Sequence, residues 1–101
     1  MPLKGKLKVG LPYYDPKGIA GAVADTAVKA SGGILHAVVI NTVGHSASTI
    51  KLYDGAVSGT AYATLSGATR GYFVFDARHG TSIHVATVDS AGTLDVTILY
   101  A

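Results

Sequence analysis

Cysteine is absent from all 101 residues. That excludes disulfides, thiol nucleophiles and thiolate metal sites, and it leaves the redox compartment open. Glutamate is absent too, and charged residues make up only 14 % of the chain. Solvated charge keeps free monomers apart, so a coat this sparse favours a chain that buries much of its surface in an assembly. No apolar run reaches the ~18 residues of a membrane-spanning helix, and the first 21 residues lack the continuous apolar core of a signal peptide, so no membrane partner is expected. Proline is confined to Pro2, Pro12 and Pro16. The length suits one domain with one core.

What charge there is lies unevenly. Residues 1–19 carry Lys4, Lys6, Lys8 and Lys17 against Asp15 alone, a balance of +3; the remaining residues carry four cations against five aspartates, a balance of −1. Lys4, Lys6 and Lys8 alternate with Gly5, Leu7 and Val9. In an extended segment this puts charge on one side and small or apolar groups on the other. Residues 1–19 therefore read as an extended basic arm, and residues 20–101 as the folded domain. Two readings of the arm stand side by side. One is a loose terminus. The other is a docking arm, whose contacts to another subunit or to a larger surface are Lys4, Lys6, Leu7, Lys8, Val9, Leu11, Tyr13 and Tyr14, more apolar than a solvating tail requires. Nucleic acid is a poor partner for it, because it holds no arginine and its tyrosines are not interleaved with the charges.

The body is patterned for strands. Residues 33–42 form the longest run with little polar interruption, and Ile34, Val38, Val39, Ile40 and Thr42 are β-branched, which suits a pleated strand. Both of its parities are apolar, as in a central strand covered on both faces. Further strands are expected at 22–30, 49–54, 60–65 around Tyr62, 72–77, 81–88 and 94–100, with turns at 44–48, 55–59, 66–71, 78–80 and 89–92. Turn signals every 8–12 residues and no convincing helix give an all-β fold, an antiparallel β-sandwich of jelly-roll type with seven to eight short strands; a closed barrel shares the pattern. Val39, Ile40, Phe73, Phe75, Val96 and Ile98 are expected in the core. Leu99 and Tyr62 are left for other faces and point to a homo-oligomer.

Few residues suggest chemistry. The four histidines, His36, His45, His79 and His84, form no pair at the spacing by which one element presents two metal ligands, and each reads as a single residue making local hydrogen bonds. His36 and His84 are the one pair able to face each other across a sheet. Gly44-His-Ser46 lacks the strand-to-helix context of a nucleophile elbow. Asp54, Asp76 and Asp89 fall beside turns, where aspartate accepts from backbone amides. Neither catalytic residues, nor a metal, nor a cofactor is expected.

From Gly33 to Tyr100 the chain resembles small β-domains of tailed-bacteriophage structural proteins. The matching stretches are Gly33-Ile-Leu-His-Ala-Val-Val-Ile-Asn41, Thr49-Ile-Lys-Leu-Tyr-Asp-Gly55, Gly59-Thr-Ala-Tyr-Ala-Thr-Leu65 and Leu94-Asp-Val-Thr-Ile-Leu-Tyr100, and it is their order and spacing that resemble the family. The resemblance covers about two thirds of the chain and leaves the arm outside. It implies a virion structural protein without catalytic residues, often trimeric: a capsid decoration (cement) protein on the capsid surface, with the major capsid protein as partner, or alternatively a receptor- or glycan-binding domain of a head or tail fibre.

Overall fold

In a computed structural model the protein is described over residues 14–101. Eight strands follow one another: β1 (Asp15–Ala20), β2 (Val23–Lys29), β3 (Gly33–Thr42), β4 (Thr49–Asp54), β5 (Ala63–Ser66), β6 (Gly71–His79), β7 (Ile83–Val88) and β8 (Asp95–Tyr100). Strand pairing has a simple rule. β1 pairs with β8, β2 with β7, β3 with β6 and β4 with β5, all antiparallel. The chain thus behaves as one long hairpin rolled up on itself. The β3–β8 and β4–β7 pairings join these ladders into two four-stranded sheets, β1-β8-β3-β6 and β2-β7-β4-β5. This is the jelly-roll order, a sandwich rather than a closed barrel.

The core lies between the sheets. Leu35, Val38, Ile40, Val96 and Ile98 of the first sheet meet Ile50, Leu52, Ile83 and Val85 of the second, with Ile19, Val28 and Leu94 at the margins. Ile40, Val96 and Ile98 are buried as their alternation predicts. Phe73 and Phe75 are only partly buried against the cluster, because β6 is an edge strand. Val39 departs from expectation. It sits half-buried on the outer face, opposite Tyr72 and Thr97. The cause is a register shift between Leu35 and Ala37. An inserted residue flips the faces of every side chain beyond it, so Leu35 points inward on one parity, and Val38 and Ile40 on the other.

Three boundaries also differ. Asp15–Ala20 is a strand of the first sheet, so the folded domain takes in the last residues assigned to the arm. Tyr62 precedes β5 instead of lying within it. β6 continues through Arg78 and His79; the turn comes one residue later, where the Asp54 carboxylate accepts from the Gly80 and Thr81 amides at 3.0 Å each. The sheets are crossed at Gly21, whose φ of 69° suits glycine and whose N–H donates to the Leu94 carbonyl at 2.7 Å.

Candidate functional site

The two outer sheet faces differ in chemistry. On the second sheet, the row Thr64, Lys51 and Ala86 and the row Ser66, Thr49 and Val88 mix charge, hydroxyl and methyl groups. Beside them His84 Nδ1 bonds the Asp25 carboxylate at 2.7 Å. On the first sheet, antiparallel partners define one row running Pro16, Leu99, Ala37, Val74, and the next running Gly18, Thr97, Val39, Tyr72. These eight residues include no charge. Tyr72 and Val74 are each 54 % exposed.

One end of that face carries Tyr14, the one expected arm contact that falls among the described residues. Tyr14, immediately before β1, stacks its ring on His36 with centroids 4.1 Å apart and planes 3° from parallel. His36 is the residue inserted at the β3 register shift. Its Nδ1 meets the Asp76 carboxylate, and its Nε2 lies 3.1 Å from the Tyr72 hydroxyl. Asp76 occupies the matching irregularity in β6, with φ of 47°. It therefore does not accept from turn amides, as its predicted position beside a turn implied; the bulge aims it at His36. Lys4, Lys6, Leu7, Lys8, Val9, Leu11 and Tyr13 lie outside the described residues.

His36 and His84 do not face each other. They belong to the outer faces of opposite sheets, each held by its own carboxylate. The carboxylate–imidazole–phenol line of Asp76, His36 and Tyr72 has the connectivity of an acid–base relay, but its last member is a phenol on an open sheet face and not an activated hydroxyl in a cleft. The hollow of about 430 Å³ at the end of the sandwich is lined by Gly32, Gly33, Ile34, Arg78, His79, Gly80 and Ala101, and does not include His36. Among the described residues no group of three or more potential ligands is placed to hold a metal. What the arrangement does offer is two charge-free rows that end at the cluster of Tyr14, His36, Asp76 and Tyr72.

Two polar knots hold the loops at the ends of the sandwich. Asp89 accepts from the His45 and Leu94 amides at 2.9 and 2.8 Å, from the Ser48 hydroxyl at 2.9 Å and from the Ala91 amide at 3.1 Å. The amide bonds from His45 and Leu94 hold its carboxyl far below the usual carboxylate range, against the opposing effect of burial. In the other knot His79, 2 % exposed, donates from Nδ1 to the Ala77 carbonyl at 3.2 Å, which leaves Nε2 to accept from the Tyr62 hydroxyl at 3.0 Å. Burial, and then the negative charge of Asp54, push the Tyr62 phenol up to about 12.

The His36 cluster was not legible in the sequence, since its members sit at positions 14, 36, 72 and 76; the bulged β3–β6 register brings 36, 72 and 76 together, and the β1-β8-β3 order brings Tyr14 to them. The alternation of Tyr72, Val74 and Asp76 on one parity of β6 is the one sequence signal that could have flagged an outward-facing set. Comparison of the chain with protein-family models, with curated proteins and with solved structures finds no match.

Proposed function

We propose that this chain is a non-enzymatic structural subunit of a tailed-bacteriophage virion, a decoration (cement) protein. In this reading it docks on the capsid surface against the major capsid protein and works as a homo-oligomer, with a trimer favoured. The observation that carries the assembly part is the pair of charge-free rows on the outer face of the first sheet, which leaves Tyr72 and Val74 open to solvent in a single chain. Sparse charge over the whole sequence supports it. The virion part rests on the sequence resemblance. The jelly roll is an architecture of viral capsid domains and of lectins alike, and fold alone assigns neither.

The test uses heads that lack the protein. Purified chain should co-sediment with such heads and raise their resistance to heat or low ionic strength. Co-sedimentation with tails alone, or with neither, removes the cement reading.

A second reading, a receptor- or glycan-binding domain of a fibre, is favoured by one feature. Tyr14 and Tyr72 flank His36 on the open face, and sugar rings bind against such aromatic surfaces beside polar groups. Binding to host-cell glycans that disappears in Tyr72→Ala, without any head binding, selects this reading over the first.

A further inference from the structure

We infer that β6 is an acceptor edge for the N-terminal segment of a second copy of this chain, which adds a strand to the first sheet beyond Gly71–Val74. The inference rests on the reading of the chain as an assembling subunit, and is independent of where an assembly would sit in a virion.

Each sheet has two edges, and the four edge strands are not equivalent. β5 has four residues. β2 is broken by register shifts between Val23 and Thr26 and again between Ala27 and Lys29, and it carries Asp25 and Lys29. β1 contains Asp15, Pro16 and Lys17. Short length, bulges, proline and charge are the devices that keep edges from pairing. β6 has nine residues, and its bulge and its charges, Asp76 and Arg78, come only in its last five positions. From Gly71 to Val74 nothing guards it. Tyr72 and Val74 are exposed on one side of this stretch, and Phe73 on the other is only partly buried against the core. A strand laid beside β6 with its apolar parity on the outer side would cover Tyr72 and Val74. Among the described residues no strand pairs with this edge.

The sequence before Tyr14 has the complementary pattern. Leu7, Val9, Leu11 and Tyr13 recur at every second position, with Lys4, Lys6 and Lys8 on the opposite parity. As a strand, this segment would put its apolar groups on the face of Tyr72 and Val74 and its lysines on the other, at the margin of the sandwich. Its own copy cannot use it this way. Tyr14 is tied to the opposite edge of the sheet, next to Asp15, which pairs with Tyr100, and under the stacked ring of His36. Tyr13 is one Cα step of about 3.8 Å from that anchor. β6 is three strand spacings away from β1, or roughly 14 Å at ~4.8 Å each. Crossing to it would use up about four residues at ~3.3 Å apiece, and with them Leu11 and Tyr13. The whole alternating run can lie along a β6 edge only when that edge belongs to another copy. Donor segment and acceptor edge are then different surfaces, which makes the contact head-to-tail and lets it close into a ring such as a trimer.

Sedimentation equilibrium at micromolar concentration tests this on three proteins: the full chain, the chain lacking residues 2–13, and the full chain with Val74→Lys, an exposed substitution that places a charge on the edge. The full chain should sediment as an oligomer. Both variants should fall to the mass of a single chain, 10.3 kDa for the full-length one, with their β spectra unchanged. Because the chain has no cysteine, a mixture of Val9→Cys and Val74→Cys chains should give a disulfide-linked heterodimer on oxidation. A monomeric full chain, a truncated chain that keeps the full oligomeric mass, or a cross-link found only within a Val9→Cys/Val74→Cys double variant each overturns the inference. Head co-sedimentation separates it from the virion reading: assembly that depends on residues 2–13 without head binding removes the latter alone, and head binding by a chain whose assembly ignores those residues removes the former alone.

Discussion

His36 and Asp76 meet across paired irregularities in β3 and β6, forty residues apart in sequence. The bulge that inserts His36 also turns the rest of β3 over, and the left-handed backbone of Asp76 aims its carboxylate at the imidazole. One local feature thus sets both the inward face of the central strand and the polar end of the outer face.

Substitution at Asp76 should separate backbone from side chain. A side-chain hydrogen bond contributes a net ~0.5–1.5 kcal/mol, and glycine accepts φ of 47° without a Cβ penalty. Asp76→Gly should therefore remain within about 1.5 kcal/mol of the parent in urea unfolding. Asp76→Val forces a β-branched side chain into the left-handed region and should cost a further ~1–3 kcal/mol. Equal losses in the two variants would show that the His36 contact, and not the backbone, dominates.

Acid should attack the Asp89 and Asp54 loops first. Both carboxyls are held below the ordinary value of 3.8, Asp89 chiefly by the His45 and Leu94 amides and Asp54 chiefly by those of Thr81 and Gly80. A depressed folded-state value means the unfolded chain binds the proton more readily, so the stabilisation is complete above about pH 4 and is lost as pH falls through the folded-state values. The share of the unfolding free energy that these two carboxylates supply should hold above pH 4 and decline below it. Asp89→Asn should be less stable at neutral pH, because an amide cannot accept from all four donors, and should show a shallower acid decline.

Sequence patterning revealed the strands because alternation and turn residues are local. Thr49–Asp54 and Asp95–Tyr100 bury Ile50, Leu52, Val96 and Ile98 as their parity requires. It misplaced Val39 because both parities of residues 34–42 are apolar, so nothing local reveals an inserted residue at His36. It ended β6 too early because Arg78 and His79 look like turn residues; the amides of the true turn are satisfied by Asp54, whose sequence distance hides the partnership. The aromatic–histidine cluster needed the β3–β6 register, which is a tertiary fact.

Alkali should find a late tyrosine. Tyr62 is pushed up to about 12, and a phenol whose folded-state value lies above the unfolded value of 10 contributes stability that is complete below pH 10 and lost as pH rises toward 12. Absorbance at 295 nm should show a phenol ionisation near pH 12 that vanishes in Tyr62→Phe. The same variant leaves the Nε2 of buried His79 without its donor and should cost ~1–3 kcal/mol.

The sharpest check of the β3 geometry compares two neighbours. Val38 is fully buried between Phe73 and Ile98 in the core, whereas Val39 lies between Tyr72 and Thr97 on the outer face. Val38→Asp places a carboxylate where no partner waits and should destabilise by about 3–5 kcal/mol, the scale of an uncompensated buried charge. That is a large share of the ~5–15 kcal/mol holding a domain of ordinary stability. Val39→Asp keeps its charge within reach of water and should cost roughly 1 kcal/mol in the isolated chain. Its effect belongs to assembly, because it puts the first charge into the two uncharged rows of the first sheet. Urea unfolding should therefore separate the variants by several kcal/mol, while sedimentation should show Val39→Asp folded but less associated than the parent. If the two unfold alike, the register shift at His36 does not turn the strand over. If Val39→Asp associates as the parent does, that face is not an assembly surface.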